Sequence, residues 1–209
     1  MTRQSIPERA RIFVGCEGES EEGYSAFLAR LARDHDLPVA VDANKMKGGD
    51  PLSRIEWARE YISREEEKRG AYSAKFAFLD TDQAVLDPGR ADRAVALADQ
   101  LGITIIWQQP DHEGLVLLHF DHTEKKHPTT KAASQKAVLK VWGSYKKNST
   151  GQQYRSKLTV DSLKLAGRGH SDLNELLMTI GLVERAKDEP RPERAHRERA
   201  IDLGDDESA

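Results

Sequence analysis

Between residues 10 and 120, short apolar runs alternate with longer stretches in which apolar residues recur every three or four positions. The first run, Arg11-Ile12-Phe13-Val14-Gly15-Cys16, is almost continuously apolar, the pattern of a strand buried on both faces. It ends at Glu17-Gly18-Glu19-Ser20. A helical pattern follows, with Tyr24, Phe27, Leu28 and Leu31 on one side, Ser20 as expected N-cap, and Glu21 and Glu22 suited to the positive helix end. A weaker strand is expected over 38–41. After Lys45-Met46-Lys47-Gly48-Gly49, Asp50-Pro51 reads as an N-cap with proline at the first helical position. That helix, over 52–68, buries Ile55, Ala58 and Ile62 and stops at Gly70. A third strand over 74–79 stops at Asp80-Thr81-Asp82, a helix over 91–101 is closed by Gly102, and a fourth strand covers 103–107.

Strands separated by helices imply crossovers of one hand and a mainly parallel sheet. In such a sheet ligands gather beyond the carboxyl ends of the strands. Glu17, Asp80 and Asp82 each follow a strand immediately, so all three are expected on the same edge.

Beyond Phe120 the character changes. From Lys125 to Arg168 basic residues dominate and Asp161 is the only acid. Helical periodicity appears over 131–142 and again over 172–182, where Leu173, Leu176, Leu177 and Ile180 form an apolar stripe. From Glu184 onward charge and proline leave little to bury, and a disordered tail or a lone charged helix is expected. The expected organisation is an α/β metal-binding domain over 1–125, a basic helical extension over 126–183 and a charged tail over 184–209. The 209 residues, 38% of them apolar, suffice for a sizeable core. A net charge of -3 gives no global sign of a nucleic-acid binder, although the basic stretch is a local one. The single Cys16 excludes a disulfide framework, and no apolar run approaches the roughly 18 residues of a membrane span, so a cytoplasmic protein is expected.

Asp80-x-Asp82 sets two carboxylates close together in a loop leaving a strand. Carboxylate oxygens suit hard cations such as Mg²⁺ or Mn²⁺, which keep several waters and accept substrate phosphate. Aspartate is also an ordinary turn residue, so the pair alone is equivocal. Glu17 stands beside Gly18, which lets backbone pass near a ligand, yet with Glu19, Glu21 and Glu22 it also reads as helix-start chemistry. Glu113 follows the fourth strand and is either a further metal or substrate ligand or a cap on a helix over 114–120. Lys45 and Lys47 precede a helix start, where free N–H groups favour an anion, or sit in a simple crossover loop. Lys136, Lys140, Lys146 and Lys147, with Trp142, Tyr145 and Tyr154 as stacking candidates, would follow a nucleic-acid backbone, or form a solvated face. His112, His119, His122 and His127 lack the compact spacing of structural zinc sites, and His119 reads as a packed histidine.

The segments Cys16-Glu17-Gly18-Glu19-Ser20-Glu21, Gly49-Asp50-Pro51, Asp80-Thr81-Asp82, and Glu113 followed by Leu117-Leu118-His119-Phe120 resemble, in order, the motifs of the RloB-like proteins of the Toprim superfamily, which includes OLD-type nucleases. The resemblance covers about residues 10–125. It implies a Toprim-like fold, with Glu17 as acid or base and Asp80 and Asp82 as Mg²⁺ ligands. It further implies a metal-dependent phosphodiester hydrolase in an antiphage or restriction-linked system, often with an ATPase partner. A non-catalytic nucleic-acid- or nucleotide-binding subunit is the alternative. The chain departs from the pattern at Gln109-Pro110-Asp111-His112 and at Val116, where the family has tryptophan.

Overall fold

The alternating pattern is realised in a computed structural model that describes residues 9–123 and 128–184. The elements are β1 (Ala10–Cys16), α1 (Glu19–Asp34), β2 (Val39–Lys45), α2 (Pro51–Arg69), β3 (Ala74–Asp80), α3 (Thr81–Leu86), α4 (Pro88–Leu101), β4 (Ile103–Gln108), α5 (His112–Leu117), α6 (Lys131–Val141), α7 (Gly151–Lys157), α8 (Val160–Gly169) and α9 (Ser171–Ile180). The strands form one wholly parallel sheet in the order β2-β1-β3-β4. This is the α/β architecture, parallel sheet flanked by helices, that the alternation of patterns predicts.

The side-chain period of two divides the core. Ile12, Val14, Cys16, Phe76, Phe78 and Ile106 face one side, where they meet Tyr24, Phe27 and Leu28 of α1. Phe13, Ala77, Leu79, Ile103 and Ile105 face the other, against Leu52, Ile55, Ala58 and Ile62 of α2 and Ala94 and Ala98 of α4. The chain steps outward from β1 to β2 and then returns across β1 to β3 and β4. The helices change face at that reversal, as crossovers of constant hand require.

Several local expectations are corrected. Ser20 lies inside α1. The helix begins on Gly18, whose N–H donates to the Glu21 carboxylate at 3.0 Å, so the longer side chain reaches back to cap the helix. Ser20 instead accepts a hydrogen bond from Asn148 N–H. Strand β2 runs through Lys45, because pairing with β1 overrides its polar residues. The short α3 and α7, of six and seven residues, are too brief to show a helical period, while α8 is amphipathic and was not expected as a separate helix. Asp111, not Glu113, caps α5, accepting from Gly114 N–H at 3.2 Å.

Trp142, Tyr145 and Tyr154 are buried at 4%, 5% and 0% exposure, which removes them as base-stacking platforms. They sit in the core on the α1 side together with Leu158, Leu163, Leu173 and Leu177, so the helices after residue 128 complete that face. The expected tail beyond Glu184 and the residues around His127 lie outside the described residues.

Gly23 shows how closely this face is packed. A Cβ there would stand 2.0 Å from the Ser149 carbonyl oxygen. Gly23→Ala would gain about 1 kcal/mol of helix propensity in an open helix. Here a net loss of about 1–3 kcal/mol is expected from overpacking, measured by urea unfolding. A stabilised variant would show that the 148–150 segment does not lie against α1.

Candidate metal centre

In the order β2-β1-β3-β4 the reversal of chain direction across the sheet lies between β1 and β3, and the crevice beyond their carboxyl ends is the place where open α/β sheets take ligands. Glu17 leaves β1 there, and Asp80 ends β3 with Asp82 in the first turn of α3. The Asp80 backbone N–H donates to Glu17 Oε2 at 2.9 Å, joining the two strand ends. Glu17 Oε1 faces Arg54 Nη1 of α2 at 3.1 Å. Lys131, at the start of α6, places its ammonium between the two aspartates, 3.3 Å from Asp80 Oδ2 and 2.9 Å from Asp82 Oδ2.

A second layer orients Asp80. The Gln108 amide takes the orientation that matches donors to acceptors. Its nitrogen donates to Asp80 Oδ1 at 3.0 Å and Glu21 Oε1 at 2.9 Å, and its oxygen accepts from His112 Nδ1 at 2.6 Å. The other ring nitrogen, Nε2, accepts from the Tyr154 hydroxyl at 2.8 Å. A hydrogen-bonded path thus runs from the core under α7 to the carboxylates. Burial lowers the His112 pKa to about 3, so the ring is neutral, as this donor–acceptor pattern needs.

The acidic groups work against one another. Burial, then the charges of Glu17 and Glu21, push the Asp80 pKa up to about 8 against the opposing effect of Lys131. Burial raises Glu17 despite the Asp80 N–H and Arg54, and it raises Glu21 as well. Partial desolvation opposes the Lys131 charge, but its bonds to Asp82 and Asp80 raise its pKa overall. The edge therefore carries excess negative charge held in a poorly solvated place.

The sequence profile of the RloB-like proteins matches residues 12–200. The chain belongs to the RloB-like family. The family match extends well past the residues that carry the motif resemblance and takes in the basic helices. No curated protein and no solved structure matches the chain.

The donor set of this RloB-like protein fits a hard divalent cation. Asp82 Oδ1 is buried and has no hydrogen-bond partner among the described residues, an acceptor of the kind a cation suits. Lys131 puts a positive charge between the two aspartates, where such an ion would sit. Among the described residues no three His, Cys, Asp or Glu side chains are already gathered as a metal cage. Mg²⁺ does not require one, since one or two carboxylates with waters and substrate phosphate commonly suffice.

The remaining expected residues distribute unevenly. Glu113, buried in α5, accepts a hydrogen bond from the Tyr145 hydroxyl at 3.2 Å. Lys45 ends β2 on the same edge and pairs with Glu19 at 3.4 Å, while Lys47 is exposed. The N-terminus of α2 already holds an anion: Asp50 accepts from Ser53 N–H and, through both oxygens, from Arg90 at 2.9 and 3.2 Å. Lys136, Lys140, Lys146 and Lys147 are all exposed. His119 is a packed histidine: Nδ1 donates to the Val116 carbonyl and Nε2 accepts from Tyr24. A cavity of about 320 Å³ opens beside Thr81, lined by Trp107, Gln109, Leu115, Leu118 and His170.

Sequence reading missed Glu21, Arg54, Gln108 and Lys131 as members of this edge. Glu21 had a local signal, as one of the acids in the first turn of α1 directly after Glu17 and Gly18. The other three come from distant elements and carry no local signal. No helix among the described residues is long and apolar enough to cross a membrane.

Proposed function

We propose that this RloB-like chain is a divalent-metal-dependent phosphodiester hydrolase, a nuclease of the Toprim type, working in an antiphage or restriction-linked system beside an ATPase partner. The observation that carries the reading is the meeting of Glu17, Asp80 and Asp82 at the β1/β3 crevice, with Asp82 Oδ1 buried and without a hydrogen-bond partner among the described residues. Asp80 and Asp82 would hold Mg²⁺ or Mn²⁺, which supplies charge neutralisation at phosphoryl oxygens and activation of water. Glu17, one strand away, would take a proton from the attacking water. Gln108 fixes Asp80 Oδ1, and Lys131 vacates the aspartates to pair with substrate phosphate. The cavity beside Thr81 lies at the lower end of the size range of ligand clefts, about 300 Å³ upward, and gives room for a base next to the scissile bond. Lys136, Lys140, Lys146 and Lys147 would follow the backbone, with Lys45 and Lys47 at the far rim.

The second reading, a nucleic-acid-binding subunit without turnover, draws on Lys131, which supplies the aspartates with an internal cation. A cleavage panel of DNA, RNA, tRNA and nucleotides separates the two. Metal-dependent cleavage is expected, reduced about 10²–10⁴-fold in Glu17→Gln. Equal activity in that variant would remove Glu17 from the chemistry. Salt-sensitive binding without cleavage under any metal would favour the second reading.

A further inference from the structure

Arg54 is the one cation in the crevice whose hydrogen bonding is incomplete among the described residues. It projects from the first turns of α2 with 9% of its surface exposed, and its Nε and Nη1 are buried without hydrogen-bond acceptors. Among the described residues its one ion pair is with Glu17 Oε1, at 3.1 Å but outside hydrogen-bond geometry, with the charge of Glu21 farther off, and the other Glu17 oxygen is taken by Asp80 N–H. A guanidinium offers five N–H donors in a planar fork shaped for carboxylate or phosphate. Leaving buried donors unsatisfied costs about 1–3 kcal/mol each, so simple neutralisation of Glu17 is a poor account of this geometry. The same edge carries the opposite defect, the buried acceptor Asp82 Oδ1, which has no hydrogen-bond partner among the described residues. An orphaned donor set and an orphaned acceptor, with Glu17 between them, complement a phosphate and the cation bound to it.

We propose that Arg54 is the seat of a substrate phosphate at this edge, a role that rests on the hydrolase reading above. The anion site of the β2–α2 crossover is then this guanidinium inside the crevice. It is not the helix N-terminus, which Asp50 already fills. Arg54 is exchanged between partners: Glu17 holds it while no substrate is present, and the phosphate draws the fork away when substrate enters, leaving Glu17 free to accept a proton.

The test measures binding of a single-stranded oligonucleotide, and of inorganic phosphate, to the full chain in EDTA over a range of salt concentrations. Wild type is compared with Arg54→Gln and Arg54→Lys. Arg54→Gln is expected to weaken oligonucleotide binding about tenfold or more and to reduce the slope of log K against log salt by about 1, the signature of one lost phosphate contact. Arg54→Lys should keep the slope and lose part of the affinity, because it retains charge without the fork. If Arg54→Gln fails to fold, Arg54→Gln with Glu17→Gln removes the stranded carboxylate and is compared with Glu17→Gln alone. An unchanged slope and affinity in either comparison overturns the proposal, even if wild type cleaves. An Arg54-dependent slope in a chain that never cleaves supports the phosphate seat and defeats the hydrolase reading. A wild type that neither binds nor cleaves defeats both.

Discussion

Asp80→Asn is expected to cut metal-dependent cleavage by about a hundredfold or more while making the metal-free chain more stable near pH 8. The loss follows from removing one of two anionic oxygen donors, an electrostatic contribution of the size seen when a preorganised charge is deleted from an active site, about 10²–10³. The gain follows from the raised pKa. Asp80 is lifted from an ordinary 3.8 to about 8, so across that interval the folded chain holds a proton that the unfolded chain has released. Stability from this group is full below about 3.8 and is lost as pH rises through about 8. Glu17, Glu21 and Glu113 are raised too and add in the same sense. His112 and His119 act oppositely. Lowered by burial from 6.5 to about 3 and about 4, they cost stability only as pH falls below 6.5.

Between pH 6.5 and about 8 the carboxylates therefore dominate, and the Tm of the wild-type chain in EDTA should fall. Asparagine cannot ionise, so the variant's Tm should change much less over that window. Near pH 8 it should exceed wild type by about 2–4 °C, corresponding to about 1 kcal/mol for a chain of this size. A variant that loses activity and also loses stability at pH 8 would mean that Asp80 is primarily a structural partner of Lys131.

The second large effect is expected at Tyr154. Its ring is wholly buried against Tyr24, Phe27, His112 and Trp142, and its hydroxyl donates into the path through His112 and Gln108 to Asp80. Tyr154→Ala should cost about 3–5 kcal/mol, the usual range for removing a buried aromatic ring. That is a large part of the roughly 5–15 kcal/mol that holds a domain together. Tyr154→Phe keeps the ring and leaves His112 Nε2 without its donor, a loss of about 1–3 kcal/mol. The phenylalanine variant should also cleave more slowly, since the orientation of Gln108 is then less constrained. Urea unfolding of the two variants measures the first effect and the cleavage assay the second. A cost below about 1 kcal/mol for Tyr154→Ala would mean that α7 does not share a core with the sheet.

The parallel α/β scaffold and its acidic edge follow from local pattern along the chain. Period-two and near-continuous apolar runs force strands, helical spacing forces crossovers, and consecutive strand–helix units leave each strand end on one side. Asp50-Pro51, Gly70 and Gly102 act through neighbouring residues alone, so these helix ends were legible. Glu17, Asp80 and Asp82 were legible as one group for the same reason: their positions depend on where their own strands stop.

The remaining features of the edge depend on partners distant in the chain. Lys131 reads in sequence as one more lysine of a basic helix, yet it lies between Asp80 and Asp82 because α6 packs on α5 at the strand ends. Trp142, Tyr145 and Tyr154, interleaved with lysines, resemble exposed stacking residues until the α1 face of the sheet covers them. Arg54 lies four residues past its helix cap like any surface arginine, and only the crossing of α2 behind β1 carries its guanidinium to Glu17. Local pattern encodes where each element starts and which face it buries. The pairing of one charge with another across the edge is set by how those faces pack.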